Sequence, residues 1–209
     1  PGTLARAMVT CTEAKTAALQ ELMARSMFSR GLATGSGTDE TIIICNNSGD
    51  NTFNFSGKHS KLGELIGTTV MRAVKEALFL HTGLHPDMQR DVFRRMERFG
   101  VSKEWVWKNY NRLEKETRYK TKKEFFDRLE VIAKKTDLVT LSSLYAHLMD
   151  QLDWGLLLLD DVLKEGTAIL ERIRDKYQIN YKIALTKGSI DDVISSMAEN
   201  VINLLVEMM

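Results

Sequence analysis

The chain has 209 residues, and its 29 lysines and arginines almost cancel its 28 aspartates and glutamates. This balance excludes a non-specific nucleic-acid binder, which needs clustered and unbalanced cations. A hydrophobic fraction of 44% and a charged fraction of 27% are typical of an ordered globular protein. The sequence shows neither a long apolar span nor a basic-then-apolar leader, so we expect a soluble cytoplasmic protein that does not bind membranes.

Charge and glycine are distributed unevenly along the chain. Residues 1–83 hold 8 Lys/Arg and 7 Asp/Glu, whereas residues 84–209 hold 21 of each kind. The first part also contains 9 of the 13 glycines, which suit tight loops near a ligand, while dense charge suits solvated helices. We therefore predict an α-rich α+β fold, with a small α/β region of few strands over 1–83 and a helical, bundle-like region over 84–209.

The first part is predicted to mix strands and helices. Residues Ala5–Thr10 are short and apolar, which indicates a strand, and a helix is expected to start at about residue 12. A β-branched run over Thr41–Cys45 predicts a buried strand, and Phe53–Phe55 predicts a second strand antiparallel to it. A long helix is predicted over Ser60–His81, with Gly83 and then Pro86 marking the boundary between the two parts.

The second part is predicted to be helical throughout. Apolar residues recur there at helical spacing, with the clearest stripe in a last helix that Ser189 caps and Asp192 completes as a capping box. The preceding helices are expected over 86–99, around Trp105–Tyr110, and over 121–135, 138–152 and about 156–177. The last helix either joins this bundle or packs across a dimer.

Two polar loops of the first part suit an anion or oxyanion site. Gly31–Glu40 (GLATGSGTDE) combines glycines with small hydroxyl residues, whose amides and hydroxyls can converge on one bound oxygen. Ser56–Glu64 (SGKHSKLGE) places two lysines and a histidine at a helix start, where free N–H groups attract negative charge. Neither loop matches a Walker or dinucleotide-binding pattern, which argues against ATP or NAD as a ligand.

Each feature also has an ordinary structural interpretation. Glycines before a strand often only make a tight turn, and Asp39 with Glu40 is either one acid–base group plus one structural carboxylate or an ordinary turn. Lys58 and Lys61 are unfavourable at a helix start because the helix dipole disfavours positive charge there. Residues that break such a local preference tend to mark functional sites. The two cysteines, Cys11 and Cys45, have no metal-binding or disulfide spacing.

Three ordered segments resemble the adenosylcobinamide amidohydrolase family. They are Ala7–Lys15 (AMVTCTEAK), Gly31–Asp39 (GLATGSGTD) and Ser56–Gly67 (SGKHSKLGELIG), so the resemblance covers roughly residues 5–80. The family salvages corrinoids for cobalamin biosynthesis. Its members hydrolyse the amide between the aminopropanol arm and the corrin ring, converting adenosylcobinamide into adenosylcobyric acid.

The resemblance implies an amidase site built from the two loops. Asp39 or Glu40 would act as general base, Lys58 with the amides near Gly57 would stabilise the oxyanion, and His59 would protonate the leaving amine. Ser36 or Thr38 is an alternative nucleophile. The residues expected to bind or orient the corrinoid are Glu13, Thr34, Gly35, Ser36, Gly37, Thr38, Gly57, Lys61 and Glu64, with Lys15 beside them.

The corrinoid is expected as substrate, and no cofactor is required. One histidine with scattered carboxylates is a weak zinc ligand set, so no metal site is predicted. Because the first motif begins so near Pro1, we expect the chain to be a fragment, a processed product or a shortened relative. A missing N-terminal segment or a homodimer partner would then supply any part of the site that the chain lacks. Two alternatives remain open: a protein that binds a corrinoid without cleaving it, and a helical interaction protein derived from this family.

Overall fold

The protein is described by a computed structural model, which covers residues 2–37, 39–46, 48–49, 52–113, 119 and 121–209. The chain divides into two units, Pro1–Met88 and Gln89–Met209. Helices account for 65% of the structure, and the described residues form no β-sheet. Their one β pairing is a single antiparallel bridge between Arg25 and Leu32. The α+β prediction is therefore wrong.

The unit Pro1–Met88 is a helix pair joined by a long irregular segment. Helix α1 spans Gly2–Glu21 and helix α2 spans Lys61–Thr82. The predicted strand over Ala5–Thr10 lies inside α1, because its residues continue a helical face rather than alternating. That face buries Ala7, Thr10, Ala14 and Ala18, at the spacing of three or four residues that a helix requires. Alanine's high helix propensity supports the same outcome.

The other two predicted strands are not formed in the structure. None of the described residues in 41–46 or 52–55 belongs to a ladder. β-Branched residues favour a strand only where a neighbouring strand completes its hydrogen bonds and covers one face. Here Ile42 and Ile44 are exposed and no strand covers them among the described residues. The two strand predictions over Thr41–Cys45 and Phe53–Phe55 are therefore wrong.

Helix α2 is limited by the residues that the sequence indicated. Ser60 is its N-cap, and its hydroxyl accepts a hydrogen bond from the Gly63 amide. Gly83 ends the helix in the left-handed conformation, with φ of 71°, and its amide donates to the Phe79 carbonyl. The predicted helix over Ser60–His81 is therefore confirmed to within a residue at each end.

The unit Gln89–Met209 is built from six α-helices among its described residues. After a 3₁₀ turn at Pro86–Gln89 they are α3 Val92–Met96, α4 Lys103–Tyr110, α5 Lys122–Ala133, α6 Thr136–Asp153, α7 Leu159–Lys176 and α8 Ile190–Glu207. A second 3₁₀ turn, Glu97–Phe99, follows α3, so the predicted helix over 86–99 is broken into three pieces. The capping box of Ser189 and Asp192 is confirmed at the start of α8.

A single apolar core holds this second unit together. Its fully buried members come from every one of the six helices and include Phe125, Tyr145, Met149, Leu170 and Met197. Gly166 packs closely where α7 meets this core, because an added Cβ would lie 3.3 Å from side-chain atoms of both Tyr145 and Met197. A bidentate ion pair between Arg98 and Asp150 is also buried.

Candidate functional site

The glycine-rich loop Gly31–Glu40 is attached to the C-terminal half of α1. The Ala33 amide donates to the Ala24 carbonyl over 2.7 Å, which holds the loop start beside the helix end. Thr16 then donates its hydroxyl to the Thr34 carbonyl over 2.8 Å, and Gln20 donates its side-chain amide to the Ala33 carbonyl over 3.0 Å. Side chains of α1 therefore fix the backbone of this loop.

Asp39 closes the same loop on itself. Its carboxylate accepts the Ser36 amide at 2.7 Å and the Ser36 hydroxyl at 3.1 Å, and it pairs with the Lys15 ammonium at 3.2 Å. These contacts, led by the Ser36 amide, hold the pKa of the Asp39 carboxyl below its ordinary value. An added Cβ on Gly35 would lie 2.9 Å from the Asp39 carboxylate, so glycine leaves room for this turn.

The rest of the predicted loop residues are open to solvent or outside the described part. Gly37 has no atom within 4 Å of the position that a Cβ would occupy, and Glu40 is exposed. Thr38, predicted to bind substrate or to act as a nucleophile, lies outside the described residues.

The second loop, Ser56–Ser60, is attached to the N-terminal half of α1. Thr10 donates its hydroxyl to the Ser56 carbonyl at 3.1 Å, and Ser56 donates its own hydroxyl to the Thr3 carbonyl at 2.6 Å. Gly57 is buried against the Arg6 side chain. On the other side, Gly63 of α2 packs on the Gly57 backbone so closely that a Cβ would lie 2.0 Å from the Gly57 oxygen.

The charged residues of this loop point outward and are paired. Lys58 is exposed and its ammonium lies 3.5 Å from the Glu13 carboxylate of α1. Lys61 pairs with Glu64 one turn along α2, at 2.9 Å. His59 is exposed between the two lysines. The predicted crowding of positive charge at this helix start is therefore offset by two carboxylates.

A groove between α1 and α2 gathers part of the predicted site. Its volume is about 990 Å³, at the upper end of the range for small-molecule sites. Glu13, Lys58 and Glu64 line it, together with Thr12 and Thr16. Its remaining walls are mostly apolar or glycine and include Met8, Val9, Ala17, Gly67 and Met71. A mostly apolar lining with a few polar groups is typical of a small-molecule site.

The structure does not bring the two loops of the predicted catalytic site into contact with each other. Across the described part of the chain, no hydrogen bond or ion pair connects Asp39 or Glu40 to Lys58 or His59. Each loop instead contacts α1 at its own place: Asp39 through Lys15, and Lys58 through Glu13. Helix α1 is thus the element that both loops share.

Sequence reasoning missed the residues that attach these loops. Thr10 is a polar residue on the buried alanine face of α1, and such a position signals a hydrogen-bond partner. Thr16 and Gln20 lie four residues apart on one face, but nothing local shows that this face receives the loop Gly31–Glu40.

The described residues form neither a metal-binding cluster nor a membrane-spanning helix. They contain no group of three His, Cys, Asp or Glu side chains placed to hold a metal ion. None of their helices combines the length and the apolar character needed to span a membrane.

Comparison with known proteins gives one family for the first unit. The sequence model of the adenosylcobinamide amidohydrolase family matches residues 1–86. The predicted resemblance of this segment is therefore confirmed. The chain is also similar to an uncharacterized protein of Methanocaldococcus jannaschii, with 47% identity over 78 residues. That alignment covers 37% of this chain and 30% of the relative. No solved structure matches the chain.

Proposed function

We propose that the chain hydrolyses the amide between the aminopropanol arm and the corrin ring of adenosylcobinamide, giving adenosylcobyric acid. The observation that carries the proposal is the match of residues 1–86 to the adenosylcobinamide amidohydrolase family. The groove between α1 and α2 supports it, because polar residues of the matched segments line that groove. In the reaction a water oxygen adds to the amide carbon, the C–N bond breaks, and the departing amine takes a proton.

The residues that line and adjoin the groove suggest a role for each group in amide hydrolysis. The Lys58 ammonium would stabilise the negative charge that develops on the carbonyl oxygen, with the backbone near Gly57 beside it. Glu13, 3.5 Å from Lys58, would accept the proton of the attacking water. His59, adjacent in sequence, would donate the proton to the leaving amine. Glu40 is exposed at the end of the other loop and is the alternative base.

Asp39 fits a positioning role better than that of the base. Its lowered pKa makes it a weak proton acceptor, and its bonds to Ser36 and Lys15 hold the loop turn. The Ser36 hydroxyl donates to this same weakly basic carboxylate, so it is poorly activated as a nucleophile. The loop containing Thr34 would then orient the corrinoid through its backbone and hydroxyl groups.

The test is turnover of adenosylcobinamide, in which the adenosylcobyric acid formed is measured by chromatography. We expect product from the wild-type chain and a loss of roughly 100-fold in kcat for Lys58→Ala, the usual effect of removing an oxyanion-stabilising group. Glu13→Gln should also lose activity. The matched control is Lys164→Ala, which removes an exposed lysine of the other unit and should leave kcat unchanged.

A corrinoid-binding protein without hydrolase activity is the second candidate. The separation of Asp39 and Glu40 from Lys58 and His59 favours it, since the predicted acid, base and oxyanion groups are not joined by contacts. Binding of adenosylcobinamide without product would support this candidate. Absence of both binding and product would contradict both candidates.

A further inference from the structure

The turn between α6 and α7 exposes a run of large apolar side chains. Trp154, Leu156, Leu157 and Leu158 are 53%, 64%, 41% and 76% exposed, and Gly155 is the residue that interrupts them. Single exposed apolar residues are ordinary on a protein surface, whereas a contiguous group of them marks an interaction site. These four side chains are called the 154–158 surface below.

The geometry of the turn does not account for these side chains. Gly155 has φ of 68° and supplies the left-handed backbone that ends α6. The other positions of such a turn usually carry small or polar residues. Leu158 occupies the N-cap of α7, where serine, threonine, aspartate or asparagine would accept a hydrogen bond from the helix and leucine cannot. Large apolar residues therefore stand where local structure favours polar ones.

The backbone holds the 154–158 surface in one arrangement. The amides of Leu156 and Leu157 both donate to the Gln151 carbonyl, over 2.8 and 3.3 Å. The Trp154 amide donates to the Asp150 carbonyl over 2.9 Å. The exposed side chains thus stand on a hydrogen-bonded turn between two helices that pack together. A partner would not have to order this turn before binding it, which favours affinity.

The charges that accompany this surface are mainly negative. Residues 136–163 include five aspartates and neither lysine nor arginine. Asp160 and Asp161 follow the surface directly, in the first turn of α7, and both are exposed. The Lys187 ammonium lies 2.7 Å from the Asp160 carboxylate and offsets one charge. Helix α8, which begins three residues after Lys187, adds two aspartates in its own first turn. A complementary partner therefore carries cations beside its apolar face.

This combination of charge and apolar character favours a basic polypeptide as the partner. An anionic membrane would accept the apolar side chains but would repel the aspartates beside them. A second copy of the chain, docked through the same surface, would set equal negative charges against each other. An amphipathic helix with lysine or arginine beside its apolar stripe satisfies both the apolar and the charged groups.

We propose that the 154–158 surface is a docking site for an amphipathic helix of another protein. The apolar stripe of that helix would cover the four side chains, and its lysines or arginines would face Asp160 and Asp161. Apolar contact supplies the affinity, while the charges set the orientation and speed the association. The surface lies outside the residues 1–86 that match the family, so the proposal does not rest on hydrolysis.

The test uses the full chain and a synthetic probe. The probe is a fluorescein-labelled peptide of leucine and lysine, patterned as an amphipathic helix of about five turns. Binding is measured by fluorescence anisotropy. The disrupting variant is Leu156→Ser with Leu158→Ser. The matched control is Val131→Ser with Leu144→Ser, which removes two other apolar side chains of the same unit that are 60% and 53% exposed.

Two further comparisons isolate the charges. The first is a peptide of the same pattern in which every lysine is replaced by glutamate. The second is the variant Asp160→Asn with Asp161→Asn. Sedimentation velocity of the chain alone measures self-association, and flotation with vesicles of phosphatidylcholine and phosphatidylglycerol measures membrane binding.

The expected result is saturable one-to-one binding of the lysine peptide by the wild-type chain. The double serine variant should weaken that binding about 10-fold or more, because each leucine loses buried apolar area. The double asparagine variant should weaken it about threefold, and the matched control should bind as the wild type does. Helical circular dichroism of all variants should match the wild type, because the substituted side chains are exposed.

Each of the following results would overturn the proposal. The first is no saturable binding of the lysine peptide, and the second is equally tight binding of the glutamate peptide. The third is binding that the double serine variant leaves unchanged. The fourth is self-association or vesicle binding through this surface in place of peptide binding.

Discussion

Replacing Gly63 by alanine tests how the loop with Lys58 is held. A Cβ at this position would lie 2.0 Å from the Gly57 oxygen and 2.5 Å from the Gly57 carbonyl carbon. Both are backbone atoms, which cannot rotate away, so the loop or the first turn of α2 must shift. Overpacking of this kind costs about 3 kcal/mol. Alanine recovers about 1 kcal/mol of helix propensity, which leaves a net destabilisation of about 2 kcal/mol.

The same helix provides the matched control. Gly67 lies one turn further along α2, and nothing is within 4 Å of the position that its Cβ would occupy. Gly67→Ala should therefore stabilise the unit by roughly 0.5–1 kcal/mol through helix propensity alone. The two variants make the same chemical change on one helix, and they are expected to differ by about 3 kcal/mol in the free energy of unfolding.

The assay separates the two units by their chromophores. All three tryptophans and all five tyrosines lie beyond residue 88, so their fluorescence follows the unit Gln89–Met209. Far-ultraviolet circular dichroism follows the helices of both units. A urea transition that appears in dichroism but not in fluorescence reports the unit Pro1–Met88. If Gly63→Ala leaves that transition at or above the midpoint of Gly67→Ala, the close packing of α2 on Gly57 is wrong.

Three further predictions concern charged groups. Carboxyl titration by NMR should place the pKa of Asp39 below its ordinary value, and Lys15→Met should raise that pKa. A pKa of Asp39 that Lys15→Met leaves unchanged would refute the ion pair between the two residues. The Lys176 ammonium, 2.7 Å away, lowers the pKa of Asp137 to about 2. Because the folded pKa lies below the unfolded one, this stabilisation is complete above about pH 4 and is lost as the pH falls towards about 2. Lys176→Met should shrink that pH dependence of the fluorescence-detected midpoint. Asp150→Ala removes the buried carboxylate that pairs with Arg98 and should cost the second unit about 3–5 kcal/mol in urea unfolding, whereas a loss under 1 kcal/mol would show the pair to be unimportant.

Much of the helical structure could be predicted because its signals are local. Ser60 and Gly83 limit α2, and Ser189 with Asp192 starts α8, since caps act within a few residues of the helix end. The spacing of apolar residues also identified the helices of the second unit. The break at Met96 was missed, because a switch from α to 3₁₀ geometry leaves the apolar spacing nearly unchanged.

The strands could not be judged from local sequence. Thr41–Cys45 has the composition of a buried strand, but pairing depends on a second segment that the run itself does not specify. The error over Ala5–Thr10 has another cause: a six-residue window is too short to distinguish alternation from helical spacing. Only the continuation to Ala14 and Ala18 shows the helical face.

The candidate site was predictable in its parts but not in its arrangement. Both loops were identified from glycine, hydroxyl and charge content, and both lie in the segment that matches the family. The ion pairs of Lys58 with Glu13 and of Lys15 with Asp39 depend on where each loop meets α1. Those places are set by the hydroxyls of Thr10 and Thr16, through contacts distant in sequence.

The most direct test of the proposed function is hydrolysis of adenosylcobinamide in water enriched in ¹⁸O. The wild-type chain and the Lys58→Ala variant are assayed under the same conditions. We expect adenosylcobyric acid carrying one ¹⁸O in its new carboxyl group, with formation slowed roughly 100-fold by Lys58→Ala. No product from the wild-type chain, or product formed equally fast by Lys58→Ala, would contradict the proposed function.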